Sequence, residues 1–154
     1  MKNHWKNPIS FYYAASWFYR HHIPILPAVL QMLLFLVFGA AVSYRVRLGP
    51  GCQFAHGGNG IVIHSKARIG SNVYICHQVT IGGTGLGTEV PVIGDDVYIG
   101  AGAKILGAIS VGSNSVIGAN AVVVKSVPAG CVAAGVPAHI LRENIKAHDV
   151  EIWM

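Results

Sequence analysis

The chain has 154 residues, enough for one domain with a core of its own. Hydrophobic residues make up 53% and charged residues only 11%. Against the roughly 25% charge of a typical soluble domain, so much apolar surface is expected to be covered by sister subunits or by a membrane. The net charge is +5, and the basic residues form no run of about five or six. Nucleic acid is thereby set aside as a partner, while the basic tilt suits an anionic ligand such as a phosphorylated cofactor.

Residues 1–20 carry Lys2 and Lys6 but no apolar run ending in a small-residue cleavage site, so no signal peptide is expected. Pro8–Arg20 reads as a first helix, with Ser10 as its candidate cap, and Pro27–Gly39 as a second. The stretch Ile23–Val42 is apolar apart from Pro24, Pro27, Gln31 and Gly39, with Arg20 before it and Arg45 after it. It has the length of a membrane span, yet only about 15 residues of helix follow Pro27. Three readings stay open here: a span, a helix resting on a bilayer, or a helix packed at the base of an oligomer.

From residue 48 the pattern changes period. Leu48 and Phe54 open a series continued by Ile63, Ile69, Ile75, Ile81, Ile93, Ile99, Ile105, Val111, Ile117 and Val123. Glycine follows the aliphatic at Gly70, Gly82, Gly94, Gly100, Gly112 and Gly118. Four places after the aliphatic comes a small or β-branched residue: Val73, Val79, Val97, Ala103, Ile109, Ser115 or Ala121. A period of six fits neither a helix nor a hairpin. It predicts a mainly β fold, a left-handed parallel β-helix in which three hexads make one triangular coil. The aliphatic and the small residue point inward and the glycine makes the corner. The expected organisation is a hydrophobic helical segment at 1–41, the β-helix at 42–137 and a tail at 138–154, read as a short helix or strand. Two insertions interrupt the repeat, at Gly57–Gly60 and Gly82–Val92, and in solenoids such insertions become loops on the binding face.

Among the eight histidines, His4, His21, His22 and His148 lie outside the repeat. His56 stands in the first insertion beside flexible glycines, where it can face a groove. His64 and His77 fall in regular hexads and are expected to be outward surface residues. Cys52, Cys76 and Cys131 are scattered and odd in number, which argues against a disulfide framework or a zinc site and for a reducing compartment. No metal is expected.

The segments Val79–Gly85 (VTIGGTG), Ile99–Gly107 (IGAGAKILG) and Ala134–Ala138 (AGVPA) resemble the serine acetyltransferases, a family of hexapeptide-repeat acyltransferases. The resemblance runs from about Tyr13 to Arg142, and the long N-terminal helical domain of full-length members has no counterpart in this sequence. It is also similar to short O-acetyltransferases of exopolysaccharide and capsule synthesis. The resemblance implies acetyl-CoA as co-substrate, a homotrimer with grooves between subunits, and His56 as general base for direct attack of an acceptor hydroxyl on the thioester. It implies cofactor contacts at Gly83 and Gly85 of the Gly-rich loop and at Ala101, Ala119 and Lys125. Charge pairing makes Lys125 and Arg142 candidate partners for coenzyme A phosphates, and His77 and Glu89 are the candidate acceptor contacts. Ala101 and Ala119 are 18 residues apart, one full coil, which agrees with one groove.

The sequence departs from the family at the residues that support the base and hold the acceptor. Ala41 and Ala55 stand where the family has acidic residues near the base, and Glu89–Val90 stand where an Arg–His pair holds serine's carboxylate. The main expectation for the acceptor is therefore a sugar or polysaccharide-precursor hydroxyl, with serine O-acetylation as the alternative and a non-catalytic scaffold as a third reading. The expected location is cytoplasmic, at the inner face of the membrane if residues 23–42 make peripheral contact.

Overall fold

The computed structural model describes residues 8–85 and 89–145. The expected solenoid is present. Helices α1 (Pro8–Arg20) and α2 (Leu26–Phe38) come first. The first coil then runs through β1 (Ala41–Val42), β2 (Arg47–Leu48) and β3 (Gln53–Phe54). The second takes β4 (Val62–Ile63), β5 (Arg68–Ile69) and β6 (Tyr74–Ile75), and the third β7 (Thr80–Gly82), β8 (Val92–Ile93) and β9 (Tyr98–Ile99). The fourth takes β10 (Lys104–Leu106), β11 (Ser110–Val111) and β12 (Val116–Ile117). The last strands are β13 (Val122–Val123), β14 (Val132–Ala134) and β15 (His139–Arg142).

Strands stack in three faces. The first is the 5-stranded sheet β1-β4-β7-β10-β13, the second the 4-stranded sheet β2-β5-β8-β11, and the third the 6-stranded sheet β3-β6-β9-β12-β14-β15. All pairings are parallel except β14–β15, where the tail turns back as an antiparallel strand. The three edges of the prism are the first-to-second, second-to-third and third-to-first corners.

Every aliphatic of the six-residue series is buried, from Ile63 to Val123, and so are Val73, Val79, Val97, Ala103, Ser115 and Ala121; Ile109 is only partly covered. The glycines that follow the aliphatics are there for space, except Gly82, whose Cβ would meet nothing nearer than 4.0 Å. A Cβ on Gly100 would stand 2.6 Å from the Ala119 nitrogen of the next coil, and one on Gly94 would stand 2.6 Å from the Ser113 nitrogen. The corners also need left-handed backbone. Asn72, Asp96 and Asn114 supply it in register on the second-to-third edge, and Gln78, Gly102 and Asn120 on the third-to-first. Asparagine and aspartate tolerate this conformation best among non-glycine residues.

The helices close the first end of the prism. Tyr12 is fully buried; its hydroxyl donates to the Val46 carbonyl at 2.7 Å and accepts from the Leu48 N–H. Tyr13 donates to the Gly49 carbonyl at 2.6 Å. Burial raises the pKa of both phenols above 10.0. Ser10 lies inside the first turn of α1, so it is not the cap expected of it, because the helix already starts at Pro8. The second helix begins with Pro27 in its first turn and ends at Gly39, a left-handed cap whose N–H reaches the Phe35 carbonyl. It has 13 residues, and no helix among the described residues is long and apolar enough to cross a membrane.

Candidate active site

His56 owes its position to the first insertion. After β3 the chain makes a short 3-10 turn, Ala55–Gly58, in which His56 itself is left-handed (φ 50°, ψ 40°) and Gly57 follows with φ 72°. A left-handed histidine costs on the order of 1 kcal/mol, and such strain collects where function demands a particular side-chain direction. The turn pushes the imidazole off the third-to-first edge into solvent. It lines a cleft of ≈ 310 Å³ together with Val37, Phe38 and Gly39 at the end of α2, and Gly57 and Asn59.

His77 sits on the same edge one coil further on, between β6 and β7. Its ring meets His56 edge to face, with centroids 5.0 Å apart and planes at 88°. It is not the plain surface residue expected from its hexad. The outward bulge of residues 55–60 leans over it, so the ring is half-buried and Nδ1 is fully covered with no hydrogen-bond partner among the described residues. His64 is exposed, as expected, with Nδ1 accepting from the Lys66 N–H.

Ala101 and Ala119 continue this edge on the next two coils. The His77 carbonyl accepts from the Gly102 N–H at 3.0 Å, and the Ala101 carbonyl accepts from the Asn120 N–H at 2.8 Å. The edge is thus one ladder, with imidazoles at the near end and methyl groups beyond. Small side chains here leave the ladder low, which suits a long thin ligand. Lys104 is a participant the sequence reading missed. Its ammonium donates to the Gln78 carbonyl at 2.9 Å and the Gly102 carbonyl at 2.8 Å, fixing a positive charge between the two coils that carry His77 and Ala101. The Gly102 carbonyl is two residues away in sequence, but the Gln78 carbonyl lies one coil back, and only the stacking of coils reveals that contact.

The remaining residues lie elsewhere. Gly83, Gly85 and Glu89 belong to the loop between β7 and β8, on the first-to-second edge, and Lys125 follows β13 on that same edge. The loop closes at its neck, where a Cβ on Gly83 would meet the Glu89 carbonyl at 3.6 Å. Arg142 is exposed on β15, at the far end of the third face. One protomer therefore gathers His56, His77, Ala101 and Ala119 and holds Gly83, Gly85, Glu89 and Lys125 on a different edge. Ala41 and Ala55 supply no carboxylate to His56, and His77 is its ring neighbour among the described residues.

Residues 91–125 match the bacterial transferase hexapeptide family (six repeats). The chain is 39% identical over 140 residues to a serine acetyltransferase of Synechococcus elongatus, covering 89% of this chain and 57% of that protein. The chain is a hexapeptide-repeat protein akin to the serine acetyltransferases. A Mycobacterium tuberculosis serine acetyltransferase is 45% identical over 108 residues, which is 69% of this chain and 44% of that one. The crystal structure of the Brucella abortus serine acetyltransferase in complex with coenzyme A superposes with a TM-score of 0.82 at 40% identity, over 88% of this chain and 54% of that one. This hexapeptide-repeat chain thus spans about half the length of the curated relatives it matches.

Proposed function

We propose that the chain is an acetyl-CoA-dependent O-acetyltransferase with His56 as general base. The observation that carries this reading is the single edge on which a strained, solvent-facing imidazole stands at the head of the Ala101–Ala119 ladder. The imidazole takes the proton of an acceptor hydroxyl as its oxygen attacks the thioester carbonyl. The tetrahedral adduct collapses with cleavage of the C–S bond, and the leaving sulfur takes the proton back from the imidazolium. The products are an O-acetyl ester and free coenzyme A. The assembly proposed is a homotrimer, in which the His56 edge of one subunit faces the Gly83–Glu89 loop and Lys125 of the next; the split of these residues between two edges of one protomer supports it.

For the acceptor, the relatives favour L-serine over the saccharide, since those described above are all serine acetyltransferases. One observation favours the saccharide as a second reading. The acceptor loop offers the carboxylate of exposed Glu89, which repels a serine carboxylate. The test follows release of coenzyme A thiol from acetyl-CoA with L-serine and with neutral sugars in parallel. Serine-dependent release identifies the first acceptor and sugar-dependent release the second. Absence of transfer to any hydroxyl, with acetyl-CoA bound, overturns the enzyme reading in favour of a scaffold.

A further inference from the structure

The charges of this chain are segregated along the solenoid. No aspartate or glutamate occurs before Glu89, whereas Lys2, Lys6, Arg20, Arg45, Arg47, Lys66 and Arg68 all do; the six acidic residues lie from Glu89 onward. A solenoid converts position in sequence into height along its axis. Among the described residues, the helical cap and first coils therefore carry Arg20, Arg45, Arg47, Lys66 and Arg68 and no acid, which makes a cationic end, while Glu89, Asp95, Asp96 and Glu143 come later.

That same end holds the largest exposed apolar group among the described residues. Along α2, Met32 is 54% exposed, Phe35 57% and Leu36 68%, with Ile25 at 78% just before it, and only Pro27 and Leu34 of the helix are buried. The two features meet. A cleft joins Ala28, Met32 and Phe35 to Tyr44 and Arg45, and the adjoining one joins Tyr44 and Arg45 to Tyr19, Arg20 and Arg47. Arg45 lies over the rings of Tyr19 and Tyr44, 5.8 and 5.7 Å from their centroids. Arg68 is the strand partner of Arg47 on the second face, and all four arginines are exposed. Trp17 and Tyr19 are exposed at the margin.

We infer that this end docks flat on an anionic phospholipid bilayer. The α2 face sinks into the headgroup–acyl boundary, Trp17 and Tyr19 lie at headgroup level, and Arg20, Arg45, Arg47 and Arg68 pair with lipid phosphates. An apolar helix face beside aromatic rings and a rim of cations is the arrangement that interfacial attachment requires. A nucleic acid or other soluble polyanion needs the arginines and has no use for the apolar helix. A second copy of the chain would place these like charges against each other unless they were splayed apart. At 13 residues, α2 is about 20 Å long, too short for a core of about 30 Å, so it lies on the membrane. This inference is independent of the acetyltransfer reading.

The test is sedimentation of the full chain with phosphatidylglycerol vesicles and with phosphatidylcholine vesicles, at low and raised salt. Binding is expected to the anionic vesicles, weak binding to the neutral ones, and weakening by salt. Arg45→Ser with Arg47→Ser is expected to lower partitioning roughly tenfold or more. Met32→Ser with Leu36→Ser, both at exposed positions, is expected to lower it similarly while circular dichroism and light-scattering mass stay unchanged. Failure to bind phosphatidylglycerol vesicles overturns the inference. So does undiminished binding by the Met32/Leu36 variant, which would reveal a bare polyanion site, or a fall in that variant's oligomeric mass, which would reveal a contact between copies.

Discussion

At the scale of single residues, the candidate site turns on His56 and its neighbour. His56→Ala is expected to lower turnover by about 10²-fold or more, roughly 3 kcal/mol of transition-state stabilisation, with acetyl-CoA binding retained. Steady-state rates and equilibrium binding on the two proteins check this. His77→Ala is expected to cost less, on the order of tenfold, because it removes a ring that packs against the base and does not itself take the proton. Equal losses would undo the assignment of the base to His56. Further along the edge, Ala119→Phe is expected to weaken acetyl-CoA binding by at least about tenfold, since a ring on the ladder fills the space a pantetheine arm needs. Isothermal titration measures it, and unchanged affinity would put the cofactor elsewhere. The His56–His77 contact was not legible in the sequence. It depends on the insertion at residues 55–60 leaning over the next coil, and a repeat count treats an insertion as missing register, without direction. The column of Ala101 and Ala119 was legible, because an 18-residue spacing in this repeat means one position on successive coils.

At the scale of elements, the joint between α1 and the first coil rests on two phenols. Folding raises the pKa of both Tyr12 and Tyr13, so the folded chain holds these protons more tightly than the unfolded chain. Their contribution to stability is complete below pH 10.0, where free phenol titrates, and is lost as pH rises through the folded values. Alkaline unfolding followed by circular dichroism should show that slope, and it should flatten in the Tyr12→Phe/Tyr13→Phe variant. The same variant is expected to lose about 1–2 kcal/mol at neutral pH for the hydrogen bonds removed. The corner glycines make a second, sharper comparison. Gly100→Ala is expected to cost about 1–3 kcal/mol in thermal denaturation, because its Cβ collides with the backbone of the coil above. Gly82→Ala is expected to be nearly neutral, since the nearest atom to its Cβ, the His64 Cβ, is 4.0 Å away. Both glycines hold the same place in the hexad. What separates them is the loop that leaves the stack after Gly82, and a sequence pattern does not weigh the two differently.

For the whole molecule, the two-edge division of site residues makes assembly a measurable matter. Light scattering is expected to give the mass of three 16.3 kDa chains, and a stable monomer would remove the groove in which the two edges meet. The architecture itself was plain in the sequence. An inward aliphatic at every sixth residue is a local requirement, repeated without help from distant contacts. The cationic end was equally present in the residue order but went unseen as scatter. Charges far apart in sequence look dispersed until one knows that successive coils rise along a single axis.

The packing of Gly94 and Gly100 against the backbone of the following coil carries a consequence for how such a chain can change. Where a coil touches its neighbour without intervening side chains, as at Gly94 and Gly100 but not at Gly82, the interface repeats from level to level, as the treads of a staircase do. A coil can then be added or removed as a whole without altering any interface, whereas a shift of one residue within a strand would turn an inward side chain outward. Change in such a chain is restricted to two kinds, whole levels and corner loops. The two insertions in the repeat, at Gly57–Gly60 and Gly82–Val92, both fall at corners.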